Sequence, residues 1–193
     1  MAILGSHNSW SYLPVKRWWM RPLAFMARCQ RLDIRRQYEM GVRCFDLRVR
    51  FHYGQMVVAH GIVEYAIDMT TLIEDLEWID VQGGCYVRVI HEVRNKRQYE
   101  STSKMFFESF CYVVRSDLRN IRFWNGRNLY NYEKDYEFGE DPSNDGKYAS
   151  VCAPRLIDDW WPWLYARLHN RRISLKDCDK EILLVDFVDM MKI

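Results

Sequence analysis

Hydrophobic and polar positions follow two different periods along this chain, and the points where one period gives way to the other mark the predicted elements. The apolar run Ala2 to Gly5 stops at the polar cluster Ser6-His7-Asn8-Ser9, which predicts a strand emptying into a loop. From about Val15 to Met40 the chain is rich in Arg, Leu, Met and Gln, with Pro22 near the front and Gly41 as a stop, and one or two helices fit there. Val42 to Val49 alternates apolar and polar side chains, and Met56 to His60 is a second short apolar run; two strands joined through Tyr53-Gly54 follow. Asp68 caps a helix running through Leu72, Leu76 and Ile79, and Gly83-Gly84 then precedes a strand from Cys85 to Glu92.

A further helix is expected over Ser101 to Arg115, a short strand near Ile121, irregular surface as far as Ser150, and a helix around Asp158 to Leu168. Glu181 to Val188 carries, from Ile182 on, a continuous apolar run broken only by Asp186, the pattern of a strand covered on both faces. Strands alternating with helices argue for an α/β fold, and polar residues at strand ends argue for a site along one common rim. His7, Asp46, Arg48, His60, Glu92 and Asp186 all fall at or near such ends. The expected architecture is one compact domain, a TIM-type (β/α) barrel that is incomplete or distorted. A full barrel takes about 250 residues, and this chain has 193.

Composition changes the picture little. The 28 basic and 26 acidic residues are spread along the whole chain, so no block of one sign marks a nucleic-acid arm, and no nucleic-acid partner is expected. The cysteines, Cys29, Cys44, Cys85, Cys111, Cys152 and Cys178, show no CxxC pair or zinc-type spacing and read as core thiols. The N-terminus has no basic region followed by a long apolar run, and no stretch of about 18 apolar residues occurs. The chain as written is expected to be soluble and cytoplasmic, or secreted if a signal peptide has been removed.

Singly, a histidine after a strand is usually an ordinary satisfied polar group. Here His7 and His60, the pair Asp46-x-Arg48 and the late Asp186 each follow an apolar strand, and the small residues Gly5, Ser6 and Gly61 leave room for a ligand. Two imidazoles suit acid-base chemistry, because a group titrating near neutrality can take a proton in one half-step and return it in the other. Arg48 offers a planar fork to two phosphoryl oxygens, and Asp46, two residues earlier, lies on the same strand face to orient it. Arg88 and Arg94 share the parity of Glu92, which suits a charged ladder on that face or a second phosphate contact, whereas His91 faces the other way. His52 is a weaker candidate, and His169, among Arg and Asn, is expected to be exposed.

The ordered motifs Leu4-Gly-Ser-His-Asn-Ser9, Gly41-Val-Arg-Cys-Phe-Asp-Leu-Arg48, Ala59-His-Gly61 and Leu183-Leu-Val-Asp-Phe187 resemble those of the phosphatidylinositol-specific phospholipase C X-domain family. The likeness spans the first ninety or so residues and the last strand, and is slight from about Arg97 to Lys180. It implies cleavage of a phosphoinositide-type phosphodiester, with His7 as general base on the inositol 2-hydroxyl, a cyclic inositol phosphate as product and His60 as the acid that protonates the leaving glycerol oxygen. Asp186 would hold His7 in its useful tautomer. Arg48, with Asn8, Glu92 and Arg88, would contact substrate.

Calcium-dependent members of that family surround a metal with carboxylates and an Asn. Asn8, Asp46 and Glu92 are the residues that would serve here, but Arg48 stands where that branch has an acid, so a site without metal or other cofactor is expected. Metal-free members place an Asp where this chain has Asn8, which concerns the tuning of His60. Trp18-Trp19 and Trp160-Trp161, with Trp163, sit beside Lys16, Arg17, Arg21 or Pro162, a mixture that suits transient contact with a lipid headgroup layer or cover for the helix side of the barrel. The substrate is then a phospholipid or a soluble inositol phosphodiester. Two further readings stand beside this one. A glycerophosphodiester phosphodiesterase would need a Glu-x-Asp pair on the second strand, against Asp46-Leu-Arg48; a catalytically inactive module binding lipid or sugar phosphate is compatible with the motifs.

Overall fold

The computed structural model describes residues 1–52, 54–93, 95–112, 117–125, 148–151 and 161–192. Strand β1 (Ile3–Ser6) lies between β2 (Cys44–His52) and β8 (Ile182–Val185), parallel to both. Beyond β2 come β5 (Cys85–His91) and β6 (Ile121–Asn125), and beyond β8 comes β7 (Tyr148–Val151), all parallel. Parallel strands bring their C-terminal ends to one edge, so β1, β5 and β8 deliver His7, Glu92 and Asp186 there together.

The hairpin arm is built differently. β3 (Gln55–His60) and β4 (Val63–Glu64) run antiparallel to their neighbours. β2 spans nine residues, and its last four, Val49 to His52, pair with Val58 to Gln55 beyond the reach of β1. The extension carries the chain past the rim, and β3 brings it back, so that His60 arrives at the rim from above.

The α/β class holds, but among the described residues no pairing joins β6 to β7 and the sheet is open. Among the described residues it has six parallel strands with an antiparallel arm, which does not make the eight parallel strands of a full TIM-type barrel. Strand β7 also replaces the end of the stretch expected to be irregular up to Ser150.

Helices cover the sheet where the apolar spacing required them. Helix α3 (Met69–Gln82) starts at Asp68, whose carboxylate accepts the Thr71 N–H, and buries Leu72, Leu76 and Ile79. Helix α4 (Lys96–Phe110) begins five residues before the expected Ser101, because Asn95 caps it by accepting the Gln98 N–H. The stretch from Val15 to Met40 yields only a 3-10 segment Trp18–Leu23, a single turn α1 (Ala24–Ala27) and the short α2 (Ile34–Glu39). Pro22, with no N–H to give, sits inside the first of these. Helix α5 (Pro162–His169) starts on its proline; Asp158, the expected start, lies outside the described residues.

Candidate active site

The two strand ends that carry His7 and Asp186 each leave the sheet through a left-handed residue, Asn8 at φ 45° and Phe187 at φ 47°. A bulky side chain at positive φ is uncommon and has to be held by its surroundings. Here the Phe187 N–H donates to the Cys29 carbonyl at 2.6 Å, and the Asn170 side-chain amide donates to the carbonyls of Asp186 and Phe187. Gln30 ties the neighbouring turn down, donating to Val185 O at 2.8 Å and His7 O at 3.2 Å. These clamps aim Asp186 at His7: Oδ1 lies 2.7 Å from Nδ1. A proton on Nδ1 then points at the carboxylate and leaves a lone pair on Nε2.

At the other side of the ring, Arg48 Nη2 lies 2.6 Å from His7 Nε2. Arg48 also donates through Nε to Asp46 Oδ2 at 3.0 Å and brings Nη1 to 3.8 Å from Glu92 Oε2. Asp46 is fully buried and takes the Asn8 N–H on Oδ2 and Arg88 Nη1 on Oδ1. Burial alone would raise the Asp46 carboxyl, but Arg48, then Arg88 and His7, hold it well below the ordinary carboxylate range. Burial would likewise lower Arg48, and Asp46 with Glu92 hold it above its usual value instead. The guanidinium is thus a permanent cation, 14% exposed, beside a histidine side chain that is 12% exposed.

His60 stands edge-on to His7, ring centroids 5.7 Å apart at 87°. Its Nδ1 bonds the Ala27 carbonyl at 3.0 Å, and since a carbonyl only accepts, Nδ1 carries the proton. Tyr65 Oη at 2.8 Å and Asn8 Nδ2 at 3.3 Å donate to the same oxygen. No sequence motif announced Ala27 or Tyr65: a backbone carbonyl has no residue-type signature, and Tyr65 lies outside the motifs, just past β4. Desolvation first, then the charges of Arg48 and His7, push the pKa of His60 down to about 3. Asn8 thus meets His60 through a shared acceptor, and its side chain donates where an Asp could only accept. The Gly61 turn that follows is held by its own N–H to Glu92 Oε1 at 3.0 Å and by Arg50 Nη2 to its carbonyl.

His7, Asn8, Asp46, Arg48, His60, Arg88, Glu92 and Asp186 are therefore gathered into one hydrogen-bonded cluster. Other candidates are not. His91 points to the opposite face and stacks on Phe106 at 4.3 Å. His169, expected to be exposed, is half-buried and stacks on Tyr165. Gly5 does not make room for a ligand: a Cβ there would collide with Leu184 Cδ2 and press on Cys44, so the position is small for strand packing. The His52 side chain, Arg94 and Trp160 lie outside the described residues. Of the oxygens a calcium ion would use, both on Asp46 are already bonded to donors, Glu92 Oε2 lies 3.8 Å from Arg48 Nη1, and Asn8 Oδ1 is buried without a hydrogen-bond partner among the described residues.

A phosphatidylinositol-specific phospholipase C from S. aureus superposes with a TM-score of 0.60 at 15% identity, covering 99% of this chain and 92% of that one. The enzyme of the same name from Listeria monocytogenes gives 0.58 at 16%, covering 100% and 93%. The chain has the fold of these phospholipases. No family model matches it, and no curated protein matches it at a significant level. At this identity the phospholipase fold is what the likeness carries, and the chemistry rests on the residues at its rim.

Proposed function

We propose that the protein is a phosphodiesterase of the phosphatidylinositol-specific phospholipase C kind, cleaving an inositol phosphodiester without a metal. The observation that carries this reading is one guanidinium against a pair of adjoining imidazoles, with Arg48 Nη2 2.6 Å from His7 Nε2 and the His60 ring 5.7 Å from that of His7. The phosphoryl group takes the place at Arg48 now held by His7, and a planar fork binds two of its oxygens. His7 Nε2 removes the proton of the inositol 2-hydroxyl, whose oxygen attacks phosphorus and closes the cyclic phosphate. His60 Nε2 gives a proton to the departing glycerol oxygen. For that step His60 has to be an imidazolium; burial first, then the charges of Arg48 and His7, hold it down in the free protein, and the bound phosphate anion offsets the charge part of that field. Asp186 steadies the imidazolium formed on His7.

A lipid substrate is supported by the surface beside the rim. Trp18 is 73% exposed and Trp19 54%, so neither covers the helix side of the sheet. Trp161 packs edge-on to Phe25 over a cavity of about 580 Å³ lined also by Arg21, Arg28, Arg31 and Phe187. Aromatic rings with arginines suit an anionic amphiphile. No described helix is long and apolar enough to cross a membrane.

The test is incubation with a water-soluble inositol phosphodiester in excess chelator, followed by phosphorus NMR. A cyclic phosphate resonance is expected, lost in His7→Ala. No turnover on inositol or glycerol phosphodiesters would leave a binding module, and turnover that requires calcium would return Asn8, Asp46 and Glu92 to the role of ligands.

A further inference from the structure

The proposed chemistry leaves one buried thiol beside the histidines without a role. Cys29 is fully buried, its Sγ lies 3.9 Å from His60 Nδ1, and donor atoms of His7, Cys29 and His60 come within 4.8 Å of one another. We propose that these three residues form a binding site for a thiophilic divalent cation of the zinc class, and that the bound ion switches off the acid-base pair.

Donor chemistry selects the ion. One sulfur and two imidazole nitrogens suit zinc and its softer relatives, whereas calcium and magnesium require oxygen. Zinc bonds of about 2.0 Å to nitrogen and 2.3 Å to sulfur set tetrahedral ligand atoms roughly 3.5 Å apart, so the cluster has to close by about an ångström. His7 is already arranged as a ligand: Asp186 holds Nδ1 at 2.7 Å, the carboxylate-histidine pairing that orients metal-bound imidazoles and leaves Nε2 to bind. Three protein ligands leave a fourth position for water.

Charge opposes the site only in part. On binding, the Cys29 thiol releases its proton to solvent, the two imidazoles enter neutral, and the ion with one thiolate carries a single net positive charge. Arg48 must give up its contact with His7 Nε2, but Asp46 at 3.0 Å and Glu92 at 3.8 Å still hold it. His60, to bind through the Nδ1 beside Cys29, must likewise release its bond to the Ala27 carbonyl and carry its proton on Nε2, which leaves it neutral. The consequence follows from the lone pairs: Nε2 of His7 cannot accept a proton while it binds metal, and a liganded His60 beside a cation cannot be protonated. Inhibition rests on the phosphodiesterase reading, whereas ion binding does not.

The experiment uses the whole chain, with Cys29→Ser and Cys29→Ala checked for folding by circular dichroism. Zinc should inhibit wild-type cleavage of the soluble inositol phosphodiester, and chelator should restore it. Both variants should keep their basal turnover and raise the inhibition constant on the order of a hundredfold, at least the loss seen when a metal's outer partners are removed. Cobalt(II) added to wild type should give a thiolate-to-metal charge-transfer band that Cys29→Ser lacks. An equal band or equal inhibition in wild type and variants would overturn the site, as would the absence of the band, and a chelated enzyme that needs zinc for turnover would overturn the inhibitory role. If no phosphodiester is cleaved at all, the cobalt band still decides whether the ion binds.

Discussion

Arg48 acts on both histidines, since it contacts His7 and depresses His60. In the free protein His60 should titrate near 3 by NMR, against about 6.5 for an ordinary histidine. Arg48→Gln should raise that value while leaving it below 6.5, because burial, the larger cause, remains. A wild-type His60 titrating at 6.5 would show that the field described here does not act on it. Turnover should fall about a hundredfold to ten-thousandfold in either His7→Ala or His60→Ala. Arg48→Lys should cost about a hundredfold to a thousandfold despite its retained charge, since an ammonium cannot hold two oxygens in one plane. Full kcat in any of the three removes that residue from the mechanism. His7 and His60 were legible because each closes an apolar run and carries an ionisable group, and Arg48 because it follows Asp46 on the same strand face, although it lies within β2 and not at its end. Cys29, Gln30 and the Ala27 carbonyl were not, because they lie between short helices and reach the site only through tertiary turns.

The element that decides the position of His60 is the long strand β2 with its returning hairpin. Placing His60 at the end of a strand was sound from the sequence, but an antiparallel strand cannot be told from a parallel one by an apolar run alone, since both present the same residues. What fixes the arm is polar and buried. Arg50 is 1% exposed, its Nη1 lies 3.2 Å from Glu64 Oε1, and Nη2 reaches the Gly61 carbonyl. Arg50 and Glu64 sit on β2 and β4, so the pair pins both outer strands around the turn after His60. Arg50→Met leaves Glu64 buried near Arg17 alone, and breaking such a pair costs about 3–5 kcal/mol. For a chain of this size the melting temperature should drop by roughly 10 °C or more. Arg50→Met with Glu64→Leu should recover much of the loss, because the uncompensated charge is then gone. A single variant as stable as wild type would mean that the hairpin is held by its strand bonds alone.

Across the whole molecule, the alternation of apolar runs and helical spacings revealed the α/β class and its rim, while closure was beyond its reach, since strand pairing between distant segments leaves no local pattern. The same sheet holds two histidines of depressed pKa, His91 buried and His60 half-buried at the rim, and this sets how the molecule meets acid. His91 is fully inside, stacked on Phe106 with the Thr102 hydroxyl 3.3 Å from Nε2, and desolvation, then Arg50, push its pKa down to about 4. His60 is pushed to about 3. Both folded values lie below the unfolded value of about 6.5, so the unfolded chain binds protons first. Their contribution is whole above about 6.5 and is lost as pH falls through 4 and then 3. Asp46, also depressed, adds a second loss only below the ordinary carboxylate range. The urea midpoint should therefore decline steadily between pH about 6.5 and 4, before most carboxylates protonate. His91→Gln offers an amide where the imidazole stood, carries no titrating group, and should flatten that decline while lowering stability at pH 8 through the lost stacking. A wild-type midpoint constant from pH 8 to 4, or a variant with an undiminished slope, would show that the proton taken up on unfolding is not bound at His91.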